Sequence, residues 1–97
     1  MSIPSSILSA YRNLFSESVW NYNEIGNSTH RIPRFTELNL KSLCTKVTEV
    51  LQNESTLIVF NSNAYVVGDL HGSLSDLLRI LHTYGIPPMN KYIFLGD

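Results

Sequence analysis

The chain has 97 residues, 43% of them hydrophobic and 10% aromatic, which describes one small globular domain or part of a larger one rather than a disordered segment. Seven basic residues against eight acidic ones leave a formal charge of -1, so no basic surface points to nucleic acid. The longest apolar runs, such as Ala64 to Val67 and Tyr92 to Leu95, are strand-length and far too short to span a bilayer.

The start, Met1-Ser2-Ile3-Pro4, lacks the basic stretch and unbroken apolar core of a signal peptide. A single cysteine, Cys44, cannot form an internal disulfide, which fits a reducing compartment; the expected setting is the cytoplasm or nucleus, with no membrane partner. In that setting the sequons Asn27-Ser28-Thr29 and Asn53-Glu54-Ser55 read as chance matches.

Ile7, Leu8, Tyr11, Leu14, Phe15 and Val19 recur at helical spacing and predict an amphipathic helix over residues 5–19. Its apolar face suits packing on the following domain; binding a partner is the alternative. Arg12 is its only basic residue, which argues against an anionic membrane surface. Asn21 to Arg34 reads as a loop, because Asn, Gly, Ser, Thr and Pro interrupt every apolar period there.

A second helix is expected from Leu40 to Gln52, capped by either Asn39 or Thr36. Leu40, Leu43, Cys44, Val47, Val50 and Leu51 form one stripe, so Cys44 reads as a buried, inert thiol. Leu57 to Phe60 is β-prone, and Asn61-Ser62-Asn63 leads as a polar turn into Ala64 to Gly68, which predicts an antiparallel hairpin.

A third helix follows over Ser73 to Tyr84. Leu74, Leu77, Leu78 and Leu81 make its buried face, and Ser73 with Asp76 resembles a capping box. Gly85 can close it with a positive φ, and Pro87-Pro88 forbid its continuation. Lys91 to Leu95 reads as the next strand. Strand, helix and strand in so short a stretch predict a βαβ unit, with 64–68 and 91–95 as parallel neighbours.

The chemistry sits on this unit. Ligands collect beyond the carboxyl ends of parallel strands, and Asp69 and Asp97 fall at that edge, one after each strand. His71 lies two residues past Asp69, so in an extended segment both side chains point the same way. Carboxylate oxygen with imidazole nitrogen suits Zn, Fe or Mn. Gly68 and Gly72 permit a sharp turn and close approach to a phosphate, and the N-terminus of the third helix adds partial positive charge. His30 and His82 have no companions at ligand spacing and are assigned to solvent or packing. Arg31, Arg34 and Arg79 read as solvated charges, with phosphate clamping as the alternative.

Gly68-Asp69-Leu70-His71-Gly72, Asp76-Leu77-Leu78-Arg79, Gly85-Ile86-Pro87-Pro88 and Tyr92-Ile93-Phe94-Leu95-Gly96-Asp97 together resemble the phosphoprotein phosphatase family of serine/threonine phosphatases, within the calcineurin-like metallophosphoesterases. The segment from Leu43 to Glu54 resembles the helix preceding the first metal motif of that family. The resemblance covers Leu38 to Asp97, leaving residues 1–37 as an N-terminal extension with a helix and a loop. Ser73 departs from the family, which usually has Gln there.

The resemblance implies an α/β fold, the N-terminal part of a metallophosphoesterase β-sandwich, here as helices, a β-hairpin and one βαβ unit. It implies that Asp69 and His71 bind the first of two metal ions (Mn, Fe or Zn) and that Asp97 bridges both. In such enzymes a metal-activated hydroxide attacks the phosphorus of phosphoserine or phosphothreonine, so the implied partners are a phosphoprotein substrate and regulatory subunits. The family's Asp-Arg-Gly run, its Gly-Asn-His-Glu motif with the general acid, and two later His ligands match no residue here. No catalytic residue is therefore assigned, and the 97-residue polypeptide by itself is expected to be inactive. A dinucleoside polyphosphate hydrolase-like phosphoesterase is the alternative enzyme class; a non-catalytic binding remnant is the other.

Overall fold

In the computed structural model, which describes residues 2–17 and 19–97, the chain is mixed α/β. Helices α1 (Ile3–Phe15) and α2 (Glu37–Gln52) are followed by strand β1 (Tyr65–Val67), helix α3 (Leu74–Tyr84) and strand β2 (Tyr92–Phe94). The residues fall into two units, Met1–Val59 and Phe60–Asp97. This division groups α2 with α1.

Helix α1 begins two residues before its expected start because Ser2 caps it. The Ser2 hydroxyl accepts the Ser5 N–H at 3.3 Å, and Pro4 lies in the first turn, where a missing N–H costs nothing. The helix ends at Phe15, and Val19, expected on its apolar face, lies beyond it and is exposed.

The loop that follows is anchored by His30, whose side chain is only 1% exposed. Its ring stacks on Trp20 with centroids 4.9 Å apart, and Trp20 stacks in turn on Phe15 at 5.8 Å. His30 Nε2 accepts the Asn21 N–H at 2.9 Å, which places the ring proton on Nδ1, 2.6 Å from Glu17 Oε2. Both ring nitrogens are thus satisfied, and the packing assignment is the one observed. A short 3-10 turn (Tyr22–Glu24) and a bridge between Ile25 and His30 are the loop's regular features.

Thr36 caps α2, its hydroxyl accepting the Asn39 N–H at 3.1 Å, so Asn39 is not the cap and the helix begins at Glu37. One expectation is overturned here. The stripe along α2 is largely uncovered: Leu40, Val47, Val50 and Leu51 are exposed, and so is Cys44, which was expected to be buried. Periodicity reports that a face is apolar; it says nothing of what covers it.

The expected hairpin does not form. Leu57 to Phe60 adopt no strand and lie exposed, Leu57 at 79%. β-Propensity requires a neighbour to pair with, and β1 finds its neighbour in β2. The βαβ unit does form. The strands pair in parallel with Tyr65 opposite Tyr92, Val66 opposite Ile93 and Val67 opposite Phe94. Bonds from Tyr65 N–H to the Lys91 carbonyl and from Leu95 N–H to the Val67 carbonyl, both 2.9 Å, extend the ladder at its two ends.

Ser73 caps helix α3, its hydroxyl accepting the Asp76 N–H at 3.3 Å and donating to Asp76 Oδ2 at 2.8 Å; the reciprocal half of a capping box is replaced, because the Ser73 N–H is given to the Leu70 carbonyl. Leu78, 2% exposed, and Val67 are the buried apolar residues of this unit, and Leu74 is exposed despite its place in the heptad-like pattern. Gly85 follows the helix at φ +98°, and a side chain there would run into that of Asn90. Tyr92 donates its hydroxyl proton to the Gly85 carbonyl, tying β2 to the end of α3. Burial raises the Tyr92 pKa above its ordinary value, with Tyr65 and Tyr84 adding to the shift.

Leu78→Ala should destabilise the second unit by roughly 2–5 kcal/mol, the range for emptying a buried leucine site. Amide exchange should show loss of protection across β1, α3 and β2. His30→Ala should open the first unit's aromatic cluster and red-shift the emission of Trp20, the sole tryptophan in the chain.

Candidate metal centre

Each strand of the parallel pair runs into a glycine shortly before an aspartate: Val67-Gly68-Asp69 after β1, and Phe94-Leu95-Gly96-Asp97 after β2. The register that sets Val67 opposite Phe94 therefore brings the two carboxylates to the same edge. A main-chain clamp finishes the alignment. The Asp97 carbonyl accepts the Leu70 N–H at 3.0 Å and also the N–H of His71. The Ser73 N–H then closes a turn onto the Leu70 carbonyl at 3.0 Å, leading directly into α3.

His71 reaches the edge by a route different from the expected one. The segment after β1 is not extended at His71: its φ is +50°, in the left-handed region, and Gly72 follows at φ +73°. Strand alternation therefore does not align Asp69 with His71; the turn does. A non-glycine residue held there costs on the order of 1–3 kcal/mol, a strain that persists only where surrounding contacts enforce it. Asp97 shares the left-handed conformation at φ +51°, which aspartate tolerates better than most residues.

The outcome is a compact donor set. His71 Nε2 lies 3.5 Å from Asp69 Oδ2 and 3.1 Å from Asp97 Oδ2, and the three ligand atoms all lie within 4.8 Å of one another. Ligands bound at about 2.0–2.2 Å around one ion are spaced by roughly 3–3.5 Å in tetrahedral or octahedral geometry. The two His–Asp separations match that spacing. One nitrogen and two carboxylate oxygens are also the donor chemistry of Zn, Mn or Fe. The residues thus fit a divalent or trivalent cation. They are exposed, which leaves room for additional ligands and for a substrate.

Beside the cluster lies a hollow of about 360 Å³ lined by Leu70, Gly72, Ser73, Leu74, Leu77 and Asp97. It adjoins the capped first turn of α3, and Leu70, Leu74 and Leu77 make its lining mostly apolar. Arg79 does not act as a free clamp: its Nη2 pairs with Asp76 Oδ1 at 3.1 Å. His82 is half-buried on α3, and His30 belongs to the first unit's core. The Asp97 main-chain carbonyl is the contributor that side-chain patterns miss, since nothing in a residue's identity marks its carbonyl as a clamp.

No protein-family model matches the chain, and no solved structure matches it significantly. Among the described residues, no helix is long and apolar enough to cross a membrane.

The 97-residue chain should bind Zn²⁺ or Mn²⁺ with a stoichiometry of one, seen by titration calorimetry and, for Mn²⁺, by electron paramagnetic resonance. Asp97→Asn should weaken binding by at least about tenfold, since even groups that only orient ligands cost that much when altered. Equal affinity in wild type and variant would show that these three side chains do not share an ion.

Proposed function

We propose that residues 38–97 form the N-terminal part of the catalytic domain of a metal-dependent serine/threonine protein phosphatase of the phosphoprotein phosphatase family, built on a metallophosphoesterase β-sandwich. The observation that carries this reading is the convergence of Asp69, His71 and Asp97 at the carboxyl edge of a parallel strand pair. They stand there in the order in which that family places its first metal ligands.

In this reading Asp69 and His71 would hold the first of two ions, and Asp97 would serve both. When bound, such ions supply a water of lowered pKa as nucleophile and stabilise charge on the phosphoryl oxygens. The chain's own residues set the geometry. The Asp97 carbonyl fixes the main chain at Leu70 and His71, and Gly68 and Gly72 keep side chains away from the approach. The capped N-terminus of α3 adds donors on the side of the hollow. The substrate class is a phosphoserine or phosphothreonine protein, with regulatory subunits as further partners, in the cytoplasm or nucleus.

Among the described residues, no other His, Cys, Asp or Glu joins the cluster. Three side chains suffice for one ion but not for the family's two, and they provide no acid for the leaving group. The purified 97-residue polypeptide with Mn²⁺ should therefore show no measurable turnover of a phosphoserine peptide. A chimera tests the family reading directly. Joining this chain to the remaining catalytic segments of a family phosphatase, from Asp-Arg-Gly onward, should give Mn²⁺-dependent phosphoserine hydrolysis. Asp69→Asn or Asp97→Asn in that chimera should reduce kcat/KM by at least about a hundredfold, the scale of losing electrostatic stabilisation of the transition state. A folded chimera that binds Mn²⁺ and yet hydrolyses nothing would remove the reading.

A further inference from the structure

Three arginines stand out in the sequence as alternative phosphate clamps, and the structure separates them. Arg79 is engaged with Asp76. Arg31 and Arg34 are exposed, and among the described residues neither forms an ion pair. Both line one groove of about 700 Å³ in the first unit, together with Gly26, Asn27, Ser28 and Ile32. That volume is within the range of about 300–1,000 Å³ typical of small-ligand sites. No acidic residue lines it.

The groove is held from beneath. His30, immediately before Arg31, is fixed by its stack on Trp20 and by bonds at both ring nitrogens. Its carbonyl accepts the Gly26 N–H at 2.9 Å, which folds the Gly26 to Ser28 wall back toward the arginine wall. Arg34 stands two residues before Thr36, the cap of α2. Both arginines are therefore carried on backbone anchored at either end, which lowers the entropy lost on ordering them around a ligand.

The nearby carboxylates are engaged elsewhere. Glu24 accepts from Asn27 Nδ2 at 3.0 Å, and Glu17, which with Arg31 lines a separate hollow, is bound to His30. The groove is lined by two arginines that form no ion pair, by Ser28 with its hydroxyl, by Asn27, whose amide is given to Glu24, and by Ile32 as an apolar patch. Paired guanidinium groups match the planar oxygen edges of phosphate, and an aliphatic wall suits the organic part of an ester.

We infer that the Arg31–Arg34 groove is a binding site for a phosphate monoester, distinct in residues and unit from the Asp69–His71–Asp97 cluster. Arginine recognises the dianion bidentately, Ser28 donates to a remaining oxygen, and Ile32 contacts the ester carbon.

The test uses the full 97-residue chain, freed of metal by chelation so that the aspartate cluster cannot recruit phosphate through an ion. Phenyl phosphate and inorganic phosphate are titrated separately, followed by amide and arginine side-chain nuclear magnetic resonance shifts. Shifts should concentrate on residues 26–34, with phenyl phosphate binding more tightly than inorganic phosphate. The double variant Arg31→Gln/Arg34→Gln should weaken phenyl phosphate at least tenfold while the Trp20 and His30 resonances stay unchanged, which reports an intact first unit. Arg31→Lys/Arg34→Lys should recover only part of the affinity, because the charge returns without the fork. Asp69→Asn should leave binding unchanged. Equal or tighter binding of inorganic phosphate would overturn the ester assignment. Shifts outside the groove, or wild-type affinity in the double glutamine variant, would overturn the site.

Discussion

Parallel pairing of two three-residue strands is the constraint on which the site depends. It sets Val67 opposite Phe94, and because a Gly-Asp step follows each strand, the same register places both carboxylates at one edge. A shift of one residue would turn every side chain of the strand to the opposite face and part the aspartates. So short a ladder holds its register only because other contacts lock it. Leu78 is buried in the same unit as Val67, Tyr92 reaches the carbonyl of Gly85, and the Asp97 carbonyl collects two N–H groups from the turn after β1. Chemistry and fold share atoms here: the clamp that steadies the sheet end also aims the ligands.

Electrostatics explains why the arrangement suits a cation. Two carboxylates drawn toward one imidazole are favoured when a positive charge sits among them, since the ion screens their mutual repulsion and replaces weak hydrogen bonds to His71. The left-handed backbone at His71 is held there by the bond from its N–H to Asp97 and by the turn at Gly72.

The two units are stabilised differently. The first closes around aromatic stacking and a histidine with both ring nitrogens satisfied, while in the second the buried apolar residues are Leu78 and Val67. Apolar residues are left uncovered on α2 and through Leu57 to Phe60. In the first unit, His30 is anchored immediately before Arg31, which with Arg34 lines a groove free of acidic residues.

Local signals carried much of this to the reader of the sequence. The N-cap at Ser73, the glycine that ends α3 and the strand–helix–strand rhythm all depend on nearest neighbours along the chain, and they appear where the residues place them. So does the meeting of Asp69, His71 and Asp97, because parallel topology converts sequence order into position. Non-local partners decided the rest. Whether Cys44 is covered, whether Leu57 to Phe60 finds a strand to pair with, and whether His30 faces water or a tryptophan depend on surfaces brought together only by folding. The route by which His71 reaches the aspartates was likewise tertiary, since a main-chain carbonyl directs it and every residue type has one.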